Sequence, residues 1–534
     1  MSRAVVHRRT YLVLLTLLGG CMVTSIGMSN VVWPLLLANW VLEGNWGEKW
    51  RMARESRLLQ AVVALFLLHA VGLLWTSDMG AGLHVMERLL PWLAVPLVVL
   101  TTPPPEGRAR RTILSLYIGT VFVVTVIGLV RWLTIPDMPY RDIVPFISHI
   151  RFALNVCMAI FLLVVSLGRR HLACNLSSVR WVAGIALVLW FLAFLLLLRS
   201  YTAFAVLLVA SLVIVLHQRR RWLWLAVWLA VVGGIAAYVA SEYHAYYRPS
   251  PLTLQPLAQY TAGGRPYEHR QDGLMENGNY LNNYLCHEEL RLEWPRRSRV
   301  PLDSLTSSGY SVESALLRYL NALSLPKDSS GVAALSDAQV EEIGRGVANP
   351  VYEHGSMPQR MLYVIFFEYE NYRCYRAVEG FSMLQRFELW NAVVHVIARN
   401  PWTGVGTGDL ESAMEEDFRA TGSPLQGSRL MPHNEYLSLV ALLGIPLFLL
   451  LAVLFLRAAK VLRRQGLVLI VWTVAILVSF LTENTLDSLA GILFCTWFMA
   501  FRQPPTHSCC SPKLGELSAA CPLTEEGVKG GGSV

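Results

Sequence analysis

Residues 108–133 read RARRTILSLYIGTVFVVTVIGLVRWL. Three arginines are followed by an apolar run from Ile113 to Leu133 that is long enough for a bilayer core, which takes about 17 to 25 residues. Runs of spanning length recur from Leu58 to Trp75, Trp181 to Leu198 and Trp222 to Ala240, and about twelve spans are predicted in all, some of them short. Composition agrees. Of 534 residues 54% are hydrophobic and only 15% are charged, and the mean hydropathy is +0.44, outside the range of an ordinary soluble domain. The predicted fold class is an all-α polytopic membrane protein.

The net charge of +8 suggests nucleic acid until its distribution is read, because the basic residues gather in short segments between spans. The clusters are Arg3, Arg8 and Arg9; Lys49, Arg51, Arg54 and Arg57; Arg108, Arg110 and Arg111; Arg169, Arg170 and Arg180; Arg219 to Arg221; and Arg457, Lys460, Arg463 and Arg464. Every second connection is basic, so with these segments cytoplasmic both termini lie inside. The start of the chain, with Leu18-Gly19-Gly20-Cys21, mimics a lipoprotein signal. Its apolar run continues to Met28 and a second follows from Val31 to Leu42, so an uncleaved span is predicted.

Four parts are predicted: residues 1–240 with about nine spans, an external loop domain over 241–435, further spans over 436–502, and a cytoplasmic tail over 503–534 whose Pro, Ser, Cys and Gly content predicts disorder. The loop domain is too long for a simple connection and should carry structure of its own. Ser311 to Leu323 is predicted as an amphipathic helix, and Ser336 with Gln339 as a capping box opening another. A third is predicted over Phe381 to Arg399, with Phe387, Trp390, Val393, Val394 and Ile397 at helical spacing. Cys21, Cys157 and Cys495 fall in spans, and Cys174, Cys509, Cys510 and Cys521 in cytoplasmic segments. Cys286 and Cys374 fall in the external region, whose oxidising compartment permits a disulfide between them.

Three features bear on chemistry. Gly404, Gly406 and Gly408 alternate within Asn400 to Leu410, as a tightly turning backbone needs; no lysine follows, which argues for a structural turn over a nucleotide loop. His433, in Pro432-His433-Asn434-Glu435-Tyr436-Leu437, stands where the chain re-enters the membrane, as a helix cap or as a reacting group. Arg151 and Arg199 bound spans on the outer face, against the positive-inside trend, and with Arg386 they would suit an anionic group such as a pyrophosphate. Scattered carboxylates such as Glu288, Glu289, Asp409 and Glu411 form no dense metal-binding cluster in the sequence, and ionisable residues of the spans, such as His69 and Glu483, are few.

Arg386 through Trp390, Asn400-Pro401, Gly404 to Asp409, and Pro432 to Leu437 followed by Gly444-Ile445 resemble the signature region of the O-antigen ligase and polymerase superfamily, best over Gly380 to Leu450. The long stretch from Tyr247 to Tyr375 resembles the members with a large periplasmic loop. The resemblance implies a GT-C-like fold in the bacterial inner membrane with a periplasmic site. It implies transfer of a glycan from an undecaprenyl-pyrophosphate donor to an acceptor hydroxyl, with inversion and with neither metal nor cofactor. His433 matches the family's essential histidine and Arg386 the loop arginine, both catalytic. Arg151, Arg199 and Arg386 match diphosphate-binding arginines, although Leu198-Arg199-Ser200-Tyr201-Thr202 departs from the commoner Ser-Arg order. The acceptor is lipid A core for a ligase, a growing glycan for a polymerase, or a protein for an O-oligosaccharyltransferase. A non-enzymatic transporter is disfavoured by the lack of an internal repeat.

Overall fold

A bilayer offers backbone N–H and C=O groups no partner, so apolar runs of this length settle as helices that satisfy themselves. The computed structural model describes residues 2–136, 138–172, 178–306, 309–378, 382–462 and 465–503. Among them seven helices are long and apolar enough to cross a membrane: Arg57–Trp75, Met79–Thr101, Gly107–Thr134, His149–Gly168, Val179–Leu198, Arg221–Tyr247 and Glu435–Leu462. Three shorter apolar helices, Tyr201–Leu216, Leu467–Thr482 and Leu489–Phe501, accompany them. The protein is an all-α polytopic membrane protein, and the strands described are Met275–Glu276 and Asn279–Tyr280, paired around an Asn277-Gly278 turn.

The first helix, Arg3–Thr24, carries Cys21 in its interior. Trp497, near the far end of the chain, donates its indole N–H to the Leu15 carbonyl at 2.8 Å, and its ring fills the space a side chain at Gly19 would need. This segment is therefore packed into the bundle.

Glu435–Leu462 is broken at Gly444, where φ is +77°. Pro446 lacks an N–H for the Leu442 carbonyl; Gly406 N–H bonds that carbonyl instead, at 3.2 Å. Val405 N–H takes the Ala441 carbonyl at 2.8 Å, and Ile445 N–H turns to Pro401 at 2.8 Å. The glycine-rich segment is thus a turn wedged against a broken helix, and the freed backbone groups are re-satisfied as lipid requires. Gly404 and Gly406 have φ of +68° and +97°, and a Cβ at Gly404 would lie 2.4 Å from the Leu442 oxygen. Asp409 anchors the turn by accepting from Ser77 N–H at 2.6 Å and Asp78 N–H at 2.8 Å.

The loop region has its own core, with Leu290, Trp294, Leu316, Tyr319, Val332 and Ile343 buried in it. Ser311 caps the helix Val312–Ala322, and Ser336 with Gln339 forms the capping box of Asp337–Gly344. Buried Glu276 accepts from Arg318 Nε and Nη2, at 3.0 and 2.8 Å, and from the Tyr363 hydroxyl. That ties the hairpin and Val312–Ala322 to the helix Met357–Tyr375.

Three structural details bear on the sequence expectations. The span helix runs to Tyr247, past the boundary at 240. Helix Ser382–Arg399 buries Leu389, Ala392, Val393 and Val396, whereas Phe387 and Val394 are exposed; the apolar stripe is offset because the helix packs between Glu435–Leu462 and Leu410–Thr421. Cys286 and Cys374 are free thiols. Cys174, Arg463, Arg464, Cys509, Cys510, Cys521 and the tail from 504 lie outside the described residues.

Candidate functional site

The site forms around Glu483, the first residue after the helix Leu467–Thr482, with a side chain 1% exposed. Arg386, on helix Ser382–Arg399, places Nη2 2.5 Å from Glu483 Oε1. Arg151, in the first turn of His149–Leu172, places Nη1 3.4 Å from Oε2 and donates from Nη2 to the Asn484 carbonyl at 2.9 Å. His433 brings Nδ1 to 3.6 Å from Oε2, longer than a hydrogen bond. Two guanidiniums and one imidazole thus share one buried carboxylate. Burial by itself pushes the Glu483 carboxyl up; the contact with His433 and the charges of Arg151 and Arg386 override it and hold the group below its usual range.

Local structure fixes the histidine. Asn434 caps Glu435–Leu462, its Oδ1 accepting from Leu437 N–H at 3.1 Å, so the capping role belongs to Asn434 and leaves His433 free of it. Asn434 N–H in turn reaches Asn484 Oδ1 at 3.2 Å, and Trp390 Nε1 donates to the Pro432 carbonyl at 3.0 Å. His433 sits at φ +50°, a conformation that costs a non-glycine residue free energy and is held by its surroundings. Its side chain is 37% exposed.

Arg199 stands apart from this cluster. At φ +49° after Val179–Leu198, it places Nη2 3.5 Å from Met357 Sδ and its guanidinium 5.6 Å from the Tyr140 ring centroid. Tyr140 in turn contacts His149, with ring centroids 5.6 Å apart. Arg151, Arg199 and Arg386 share one property: the Nε of each is buried without a hydrogen-bond partner. Beside the cluster, a cavity of about 340 Å³ is lined by His69, Arg88, Glu435, Asn484 and Asp487. Among the described residues no group of three or more His, Cys, Asp or Glu is placed to hold a metal ion.

The sequence reading gives no role in the site to Glu483, Asn434 or Asn484. An ionisable residue at the end of an apolar run is itself a signal of function, and applied to Glu483 that rule finds the hub.

Fold and site together define a multi-pass helical membrane protein with a cationic, histidine-bearing cluster where its loop region meets the span helix that begins at Glu435. Residues 339–452 match the family model described as O-antigen ligase, and this match supports the O-antigen ligase superfamily, whose members are membrane glycosyltransferase-like ligases and polymerases. The match includes Arg386 and His433, while Arg151, Arg199 and Glu483 lie outside it. None of the curated proteins compared matches the chain.

Proposed function

We propose that this protein moves a glycan from an undecaprenyl-pyrophosphate donor to an acceptor hydroxyl, as an O-antigen ligase with lipid A core as acceptor. The observation that carries the reading is the meeting of Arg151, Arg386 and His433 at Glu483, two of the four in the family-matched segment. In this reading the chain crosses the bacterial inner membrane about twelve times, in a GT-C-like arrangement, with both termini cytoplasmic. The loop region of 241–435 is then periplasmic, and the spans of 1–240 and 436–502 flank it.

The acceptor oxygen attacks the anomeric carbon from the face opposite the pyrophosphate, the carbon–oxygen bond to the carrier breaks, and configuration inverts. The leaving pyrophosphate keeps the electron pair, and its growing charge needs fixed cations. The guanidiniums of Arg151 and Arg386 offer bidentate donors; with one carboxylate between them, the pair keeps a net positive charge. The buried, unpartnered Nε of each suits an added anion, and the same property supports Arg199 as a further contact with the donor. The Glu483 carboxylate, 3.6 Å from Nδ1, favours the tautomer that carries its proton there and leaves Nε2 to accept the acceptor's proton. A positioned base of this kind contributes about 10² to 10⁴ in rate.

The test is incubation of the purified protein with lipid-linked glycan and separate lipid A core, glycan and peptide acceptors. Joined product on lipid A core supports the ligase. Product on glycan or peptide alone moves the assignment to polymerase or protein O-glycosylation, and no product with any acceptor overturns it.

A further inference from the structure

A second cleft, of about 370 Å³, opens where the loop-side end of Arg221–Tyr247 meets the loop region's own core and the helix Met357–Tyr375. Its size falls within the range of about 300 to 1,000 Å³ typical of small-molecule sites. One wall is aromatic: the Tyr246 ring lies 5.5 Å from that of Tyr363 and 5.5 Å from that of Phe366, centroid to centroid. Glu242, Asn277, Asn349, His354 and Gln359 add polar groups to the lining.

The chemistry of these walls selects a ligand class. Among the described residues no lysine or arginine lines the cleft, its His354 faces Glu342 at 3.0 Å and Arg318 is held by Glu276, so an anion would meet the Glu242 carboxylate with no free guanidinium or ammonium to offset it. An acyl chain would cover the polar atoms that these side chains leave open, Oε1 of Glu242 and Gln359 and Nδ2 of Asn277, which is unfavourable. A hydroxyl both donates and accepts, and the cleft offers both complements. Gln359 Nε2 donates to Glu242 Oε2 at 3.2 Å, leaving the Oε1 of each residue as an acceptor. Asn277 Oδ1 accepts from Asn349 Nδ2 at 3.0 Å, leaving Asn277 Nδ2 as a donor. Tyr246 and Tyr363 are nearly buried, so the half-buried Phe366 offers the accessible apolar surface for the C–H face of a sugar ring.

We infer that this cleft binds a neutral, hydroxyl-rich sugar segment of the glycan substrate, away from the reacting end. The inference rests on the glycan-transfer reading above. Glu242, Tyr246 and Asn277 precede the family-matched residues, whereas Asn349, Gln359, Tyr363 and Phe366 fall among them. The cleft therefore forms where this chain's own loop structure meets the matched segment, which makes it a device for choosing the glycan. The helix Met357–Tyr375 joins it to the reacting centre: Tyr372 at its far end donates to Glu388 Oε1 at 2.9 Å, on the helix that carries Arg386. A second grip on a long glycan raises its apparent affinity and leaves the chemical step unchanged.

The experiment uses the full chain in detergent and delipidated oligosaccharides of one to several repeats, released by mild acid from the producing cell's own surface polysaccharide. Binding is measured by calorimetry. The variants are Ala245→Trp, which fills the cleft from an exposed position, Ala245→Ser as its non-blocking control, and Gln359→Ala. Wild type, Ala245→Ser and His433→Ala are expected to bind longer oligosaccharides equally; Ala245→Trp should bind at least tenfold more weakly and Gln359→Ala several-fold. With lipid-linked donor, Ala245→Trp should raise KM for long glycans and leave kcat unchanged. Binding by Ala245→Trp equal to wild type, or no binding by wild type, overturns the cleft assignment even where transfer is intact. Absent transfer with cleft-dependent binding retained overturns the transfer reading alone.

Discussion

Glu483 Oε1 lies 2.5 Å from Arg386 Nη2 across 97 residues of sequence, and the same carboxylate faces Arg151 and His433. Removing it leaves two guanidiniums, 16% and 15% exposed, without their shared counter-charge. Loss of one partner from such a buried pair costs about 3 to 5 kcal/mol. Glu483→Leu should therefore lower the unfolding temperature of the purified protein clearly, and a value matching wild type would remove Glu483 as the organiser of the cluster.

The same group sets a pH response. Its carboxyl is held below the ordinary value of 4.5 in the folded protein, so the unfolded chain binds this proton first as pH falls. The stabilisation is complete above about pH 4.5 and is lost as pH drops through the lower folded value. The difference in unfolding temperature between wild type and Glu483→Gln should be constant from pH 7 to about 5 and shrink below about 4.5. A difference that instead grew on acidification would contradict the sign of the shift.

Arg199 separates from Arg151 and Arg386 by its surroundings, since it contacts Met357 and Tyr140 while the other two reach Glu483. Arg151→Ala and Arg386→Ala should each cut kcat for glycan transfer at least a hundredfold, whereas Arg199→Ala should act mainly by raising KM for the lipid-linked donor. Steady-state kinetics in detergent decide this, and an equal fall in kcat for all three would return Arg199 to the same cluster.

How much of this was legible in the sequence follows from the length scale of each signal. Spans such as Ile113 to Leu133 declare themselves because one apolar run supplies all the information. The capping box at Ser336 and Gln339 is equally local. A motif marks His433 and Arg386, but nothing in it marks the carboxylate they share, because Glu483 joins elements far apart in sequence and a single carboxylate after an apolar run carries no periodic signal. The offset stripe on Ser382–Arg399 fails for a related reason: helical spacing gives several candidate faces, and only the packing partners choose Leu389, Val393 and Val396 over Phe387 and Val394.

Membrane orientation is tested independently of catalysis. The alternation of basic connections predicts a cytoplasmic Arg220 and a periplasmic Gly331. A reporter active only in the periplasm should be active when fused near Gly331 and silent near Arg220. The reverse pattern would place the Glu483 cluster on the cytoplasmic face, away from a periplasmic acceptor.

The most direct test of mechanism is His433→Ala. Asn434 already supplies the helix cap, so the substitution leaves that contact in place, and the 37% exposed imidazole contributes little to the core. Membrane insertion and unfolding temperature should stay near those of wild type. Turnover should not, because in the proposed mechanism the imidazole takes the acceptor's proton, and losing a positioned base costs about 10² to 10⁴ in rate. The measurement is product formed per mole of purified protein, which separates a chemical defect from reduced abundance. His433→Gln sharpens it: an amide keeps hydrogen bonding but takes up no proton at neutral pH, so it should rescue turnover if the residue only orients the acceptor and fail if it acts as the base. Near-wild-type turnover by His433→Ala would remove the residue from the mechanism altogether.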